Sequence, residues 1–213
     1  TRLEHSLVDR DALILQYLLS GRRVTGAASP QLAVERICIN FVGMFDALAR
    51  AVNLALALGA NPRSCAFDNK AFSDLLPPAV KAATGAAQLG SLLRVVKIVR
   101  NTIHHAALGI GSLDESLGRV EPLFGLPSSE ESSFRDAVRD HPVLREAIVE
   151  PSSDGEVYVR ALQFTEGLLP SIVGATRGIL SACKWPGSPN QERHFYNDAA
   201  TYPQVLQLYG LSR

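Results

Sequence analysis

Cysteine, methionine and tryptophan are scarce in this chain. Its 213 residues include three cysteines, one methionine and one tryptophan. The cysteines, at positions 38, 65 and 183, are odd in number and far apart in the sequence, so neither a disulfide framework nor a zinc site is indicated. We therefore expect a reducing, cytoplasmic setting, with Cys65 and Cys183 as packing residues.

The chain also lacks long apolar runs and an excess of charge. No run approaches the roughly 18 uninterrupted apolar residues of a membrane-spanning helix, so we expect no membrane partner. Lys and Arg together number 21, and so do Asp and Glu. This balance argues against a protein that coats long nucleic acids through a broadly positive surface. Any contact with a nucleic acid is expected to be local.

One segment lacks acidic residues altogether. No Asp or Glu occurs from Leu75 to Leu113. The same segment contains these basic or imidazole side chains: Lys81, Arg94, Lys97, Arg100, His104 and His105. The sequence therefore predicts a positive field around residues 100–105, which read Arg-Asn-Thr-Ile-His-His.

Strict alternation of apolar and polar residues is rare as well, which argues against a β protein. Between glycine and proline breaks, apolar residues recur at spacings of three and four, so we predict an all-α fold, a helical bundle. Helices are expected over about residues 3–20, 29–58, 72–76, 86–108 and 156–183, with a further one starting at Ser128.

Helix ends and one long loop are marked by particular residues. Ser128 with Glu131, and Ser153 with Glu156, have the spacing of capping boxes, in which the two side chains bond to the free N–H groups of the helix start. Residues 109–127, which contain several glycines and prolines, are expected to form a long irregular loop. We therefore divide the chain into a bundle over residues 1–125 and additional helices with a tail over residues 126–213, one single domain being the alternative.

The helix that contains residues 100–105 has two different faces. At about 100° per residue, one arc of roughly 140° holds the polar set Arg94, Lys97, Arg100, Asn101, His104 and His105. The opposite side holds the apolar set Leu92, Val95, Val96, Val99, Ile103 and Ala106. The helix can therefore enter a core on one side and present its polar groups to solvent or to a partner on the other.

These polar groups support phosphodiester cleavage without a metal. An imidazole with a pKa of about 6.5 can take a proton from a ribose 2′-hydroxyl or return one to the leaving oxygen. A guanidinium can bind phosphate oxygens and stabilise developing charge. Asn101 could orient an imidazole or a ribose hydroxyl. Two proton-transfer groups are needed, and they come either from His104 plus His105 or from two copies of the helix across a dimer.

Arg100, Asn101 and His105 form the pattern RN-x-x-x-H, which resembles the signature of the HEPN superfamily. The resemblance covers this helix and the helices beside it. It implies a short all-α bundle that dimerises with the motif helices facing each other, so that Arg100 and His105 of two protomers form one composite cleft. It also implies a metal-independent endoribonuclease of a toxin–antitoxin, CRISPR-linked or abortive-infection system.

Two observations limit the resemblance. A looser spacing from Arg to His recurs at Arg135 and His141, so the adjacent Asn101 gives the pattern its weight. In one branch of the family a tyrosine two residues after the histidine is modified by nucleotidylation, whereas this chain has Ala107 there. We expect His141, which precedes Pro142, to be a loop residue without a catalytic role.

The sequence thus predicts a homodimeric endoribonuclease that cleaves RNA to a 2′,3′-cyclic phosphate, in a defence or toxin–antitoxin system with an antitoxin or another regulatory partner. His105 is expected to be the general acid or base, Arg100 the phosphate clamp, Asn101 the orienting group and His104 an assistant. Arg94 and Lys97 are the expected RNA contacts. No metal and no cofactor is expected.

Two other functions remain open. One is a catalytically inactive HEPN-like module that binds a nucleotide or a protein. The other is a purely structural bundle, for which Arg100 should be ion-paired and both imidazoles buried or dispersed. In that case Arg100, His104 and His105 would only complement the negative end of the helix dipole.

Overall fold

The computed structural model describes residues 2–18, 30–105, 108–115, 119–149 and 156–185. The side chains of residues 16, 104–105, 109–115 and 119–120 lie outside this description. The helices are α1 (Arg2–Leu18), α2 (Pro30–Ala55), α3 (Lys70–Leu75), α4 (Pro78–Ala86), α5 (Leu89–His105), α6 (Ser128–Val138), α7 (Pro142–Glu146) and α8 (Ala161–Ala182). The strands are β1 (Gly109–Glu115), β2 (Arg119–Leu126) and β3 (Val157–Arg160).

The predicted mainly helical character is confirmed, but the fold is not purely α. An antiparallel sheet has the strand order β1-β2-β3. The expected loop over residues 109–127 is wrong, because β1 and β2 form a hairpin there, with Gly109 opposite Gly125 and Glu115 opposite Arg119. All of residues 121–126 are buried, so this strand lacks the alternating pattern that marks a half-exposed strand.

Pro122 is a second reason why the sequence did not indicate strand β2. A proline inside a strand is evidence against a central position, because it cannot donate to the ladder. Here β3 pairs only with residues 123–126 of β2, so Pro122 has a neighbouring strand on one side alone. Its missing N–H therefore removes at most one hydrogen bond from the sheet.

The later helix starts are partly as predicted. Helix α6 begins at Ser128, but its capping box does not form: Pro127 occupies the cap position, no side chain caps the helix, and Glu131 instead contacts Arg135. The predicted helix start at Glu156 is wrong, because β3 comes first and α8 begins at Ala161. Ser153 lies outside the described residues. Pro170 lies inside α8.

One apolar core joins the helices and the sheet. Helix α5 packs between α2 and α6, while α8 packs against α1, α4 and α7. The boundary considered at residue 125 falls inside β2, whose partner β3 belongs to the second part. Residues 1–183 group into one compact unit, and residues 184–213 form a second unit of which only 184 and 185 are described.

The described helices include none with the length and apolar content to cross a membrane. The three cysteines are free and buried.

The end of α2 directs the chain toward α5. Asn53 is buried and makes two hydrogen bonds with Ala60: its Nδ2 donates to the Ala60 carbonyl at 3.0 Å, and its Oδ1 accepts from the Ala60 N–H at 3.0 Å. Between them the backbone reverses through Gly59, whose φ is 70°. A glycine adopts this left-handed conformation without a steric penalty. The chain then continues into residues 60–69, which precede α3.

Candidate functional site

Helix α5 has the two faces that the sequence predicts. Its core side holds the buried residues Leu92, Val95, Val96 and Val99, and Ile103 packs partly buried against them. On the other side Arg94 and Asn101 are exposed, whereas Lys97 and Arg100 are half-buried. The apolar face fixes the rotation of α5 about its axis, so the polar groups are held outside the core by a well-packed element.

Arg100 is held by its neighbour Asn101. The Oδ1 atom of Asn101 accepts hydrogen bonds from Arg100 Nε at 3.2 Å and from Arg100 Nη2 at 2.8 Å. In the described part of the chain no carboxylate lies within ion-pair distance of this guanidinium. Asn101 therefore orients the guanidinium through its amide oxygen, where the sequence predicted that it orients an imidazole or a ribose hydroxyl. The remaining guanidinium donors form no salt bridge with a described residue.

The two histidines lie in the last turn of α5. The helix includes His104 and His105, so both have helical backbone, but their side chains lie outside the described residues. An α-helix places positions 100 and 104 about 40° apart around its axis, and positions 100 and 105 about 140° apart. His104 is thus nearly in line with Arg100, while His105 lies farther round the helix.

An open cavity of about 590 Å³ lies beside the polar face of α5. One wall is the segment of residues 67–73, and the other is α5 itself. The lining consists of Phe67, Asp68, Lys70, Ser73, Gly90, Arg94, Lys97, Ile98 and Asn101. Both predicted RNA contacts, Arg94 and Lys97, therefore line one cavity, and Asn101 connects that cavity to Arg100.

Aromatic contacts and a helix cap fix the wall opposite α5. The ring of Phe67 lies edge-on to Phe45 of α2 and to Phe72 of α3, with centroid distances of 6.4 and 5.9 Å. Asn69 caps α3, because its Oδ1 accepts from the Ala71 N–H at 2.9 Å. These contacts anchor the segment to the core, so the polar residues between them face α5 from a defined position.

The acid-free environment predicted around α5 is interrupted by one carboxylate. Lys97 Nζ donates to Asp68 Oδ2 at 2.6 Å, and both side chains are partly exposed. Asp68 precedes the segment from Leu75 to Leu113, and it reaches α5 only because the chain folds back at the end of α2. Lys97 therefore has a carboxylate partner that the absence of Asp and Glu from Leu75 to Leu113 did not indicate. Arg94 has no hydrogen bond or ion pair with any described residue.

His141 has a partner that the sequence does not reveal. It lies in the loop before α7, as expected, but it is buried, and its Nε2 lies 2.8 Å from Ser91 Oγ on α5. Burial lowers the pKa of the His141 imidazole, although Asp140 opposes the shift. The one available signal was Pro142, which is typical of a first helical residue and places His141 at the start of α7.

The second Arg-to-His spacing does not form a comparable site. Arg135 pairs with Glu131 at 2.9 Å on α6, while His141 faces Ser91. The described residues include no group of three His, Cys, Asp or Glu side chains that could hold a metal ion.

Comparisons with protein-family models, with curated proteins and with solved structures give no significant match to this chain.

Proposed function

We propose that this chain is a metal-independent endoribonuclease of the HEPN type. The observation that supports this most directly is the state of Arg100: its guanidinium is oriented by Asn101 and is not neutralised by a described carboxylate. A structural bundle would be expected to pair such an arginine. The two histidines follow in the next turn of the same helix.

The proposed reaction needs one base, one acid and one phosphate clamp. An imidazole of His105 removes the proton from the ribose 2′-hydroxyl, whose oxygen then attacks the adjacent phosphorus. The bond from phosphorus to the 5′-oxygen breaks, and that oxygen takes a proton from a second imidazole. The products are a 2′,3′-cyclic phosphate and a 5′-hydroxyl. Arg100 binds the non-bridging oxygens and stabilises their charge in the transition state.

We further propose that two copies of the chain supply the two imidazoles. When the polar faces of two α5 helices meet, His105 of one protomer acts as the base and His105 of its partner as the acid, with His104 as an assistant. This arrangement places Arg100 of both protomers in one cleft. A nuclease of this kind must be restrained in the cell, so we propose an antitoxin or another regulatory partner in a defence system.

The direct test is cleavage of single-stranded RNA in excess EDTA. The wild type should cleave, Arg100→Ala should be slower by about 100-fold to 1,000-fold, and His105→Ala by about 100-fold to 10,000-fold. Arg177→Ala is the matched control, because Arg177 is an exposed arginine of α8 that does not line the cavity. Loss of cleavage in EDTA, or equal rates in all four proteins, would contradict the proposal.

The second candidate is a catalytically inactive module that binds a nucleotide. The cavity of about 590 Å³ beside Asn101 favours it, because small-molecule sites in proteins are commonly about 300–1,000 Å³. For this candidate a mononucleotide should bind without turnover, and all RNAs should remain intact at high protein concentration. Isothermal titration calorimetry with AMP, followed by chromatography of the nucleotide, distinguishes it from the nuclease.

A further inference from the structure

Two cations in the cavity beside α5 have no partner among the described residues. Lys70, from the start of α3, and Arg94, from α5, both line the cavity and are exposed. Neither forms a hydrogen bond or an ion pair with a residue in the described ranges. They approach the same space from opposite walls, so a single anion between them could contact both.

The third cation of the cavity is in a different state. Lys97 is bound to Asp68 at 2.6 Å, which neutralises its charge and holds its ammonium group against the loop wall. Asp68 itself lines the cavity and would repel an approaching anion. The charges therefore divide into two available cations and one restrained ion pair.

The rest of the lining suits a ligand that is only partly charged. Phe67 and Ile98 contribute apolar surface, and Ser73 and Asn101 contribute polar groups. Nucleotides combine a phosphate with a flat ring and hydroxyl groups, and single-stranded nucleic acids bind in grooves that pair cations with apolar or aromatic surface. Arg94 and Arg100 are six residues apart on α5, which is about 9 Å along the helix axis and about 120° around it. A strand that crosses the polar face of α5 obliquely can therefore contact both.

We infer that this cavity is a phosphate subsite for single-stranded RNA, in which Lys70 and Arg94 contact the backbone and Asp68 restrains Lys97. The inference rests on the proposed function and extends it with Lys70 and Asp68, which the pattern around Arg100 does not include. RNA that enters the cavity competes with Asp68 for Lys97. The ion pair therefore weakens binding, and its removal should add a third phosphate contact.

The test is RNA binding in a variant that keeps the RNA intact. The binding of a labelled single-stranded 12-mer is measured by fluorescence anisotropy in EDTA, over a range of salt concentrations, with His105→Ala as the background. Lys70→Ala and Arg94→Ala should each weaken binding, and each should reduce the slope of log K against log salt by about 0.7, the value for one lost single-strand contact. Asp68→Asn should strengthen binding and steepen the slope by about the same amount. Arg177→Ala should leave both unchanged.

The outcomes separate this inference from the proposed reaction. If Lys70→Ala and Arg94→Ala bind RNA as tightly as Arg177→Ala, with circular dichroism showing that all are folded, the subsite is wrong even if the wild type cleaves RNA. Unchanged or weaker binding by Asp68→Asn contradicts the role of Asp68. If AMP binds in an Arg94-dependent way and RNA does not bind, the RNA assignment is overturned. If binding changes as predicted but the wild type cleaves no RNA, the subsite is supported and the proposed nuclease reaction is contradicted.

Discussion

Single residues on α5 differ in how their charge is compensated. Arg100 is bound by a neutral amide, Lys97 by a carboxylate, and Arg94 by no described residue. Helical spacing predicts that all three share one face, but it does not predict these partners. Arg100 and Asn101 are adjacent in the sequence, so their contact can be anticipated from the sequence alone. The Lys97 contact with Asp68 spans 29 positions and depends on the tertiary fold.

His141 gives a prediction about pH at the residue scale. Its pKa is lowered in the folded state, so the unfolded chain binds more protons below the ordinary pKa of about 6.5. Stability from this residue is therefore complete above about pH 6.5 and is lost as the pH falls below that value. We expect the contribution of His141 to the free energy of unfolding to fall between pH 7.5 and pH 5.

The measurement is urea unfolding of the wild type and His141→Gln at several pH values. Glutamine does not titrate, so the difference between the two proteins should shrink as the pH falls. A difference that stays constant from pH 7.5 to pH 5 would show that burial of His141 does not shift its proton binding.

Among the elements, α5 was predictable and the sheet was not. The spacing of Leu92, Val95 and Val99 gives both the helix and its buried face. The hairpin was missed because β2 is buried on both sides and contains Pro122, features that individually resemble a loop or a core segment. The four residues Val157–Arg160 are too few to show the alternation of apolar and polar residues that marks a strand. The predicted helix over residues 156–183 therefore included β3. The cavity wall could not be predicted, because it requires residues 67–73 to fold against α5.

Stability measurements should separate the two faces of α5. Leu92 is almost fully buried, so Leu92→Ala should cost about 2–5 kcal/mol in the free energy of unfolding, through lost apolar burial and the cavity that it leaves. Arg94→Ala, two residues away on the exposed side, should change it by less than about 0.5 kcal/mol. Chemical denaturation of both variants checks this. Equal costs would mean that α5 is not packed on one face as described.

At the scale of the whole molecule, the proposal depends on a pair of chains. One chain has a mass of 22.9 kDa. We expect sedimentation equilibrium of nuclease-treated protein to give about twice this mass, and the cleavage rate per chain to fall on dilution as the dimer separates. A monomer that retains its full rate per chain at every concentration would contradict the composite cleft.

The role of the ribose 2′-hydroxyl provides the most direct test of the central claim. The measurement is cleavage in EDTA of two RNAs that differ only in a single 2′-deoxynucleotide on the 5′ side of a mapped cleavage site, with product ends identified by mass spectrometry. We predict that the all-ribose RNA is cut there to a 2′,3′-cyclic phosphate and a 5′-hydroxyl, while the substituted RNA stays intact at that position. Equal cleavage of both RNAs, or cleavage of neither, would contradict the account.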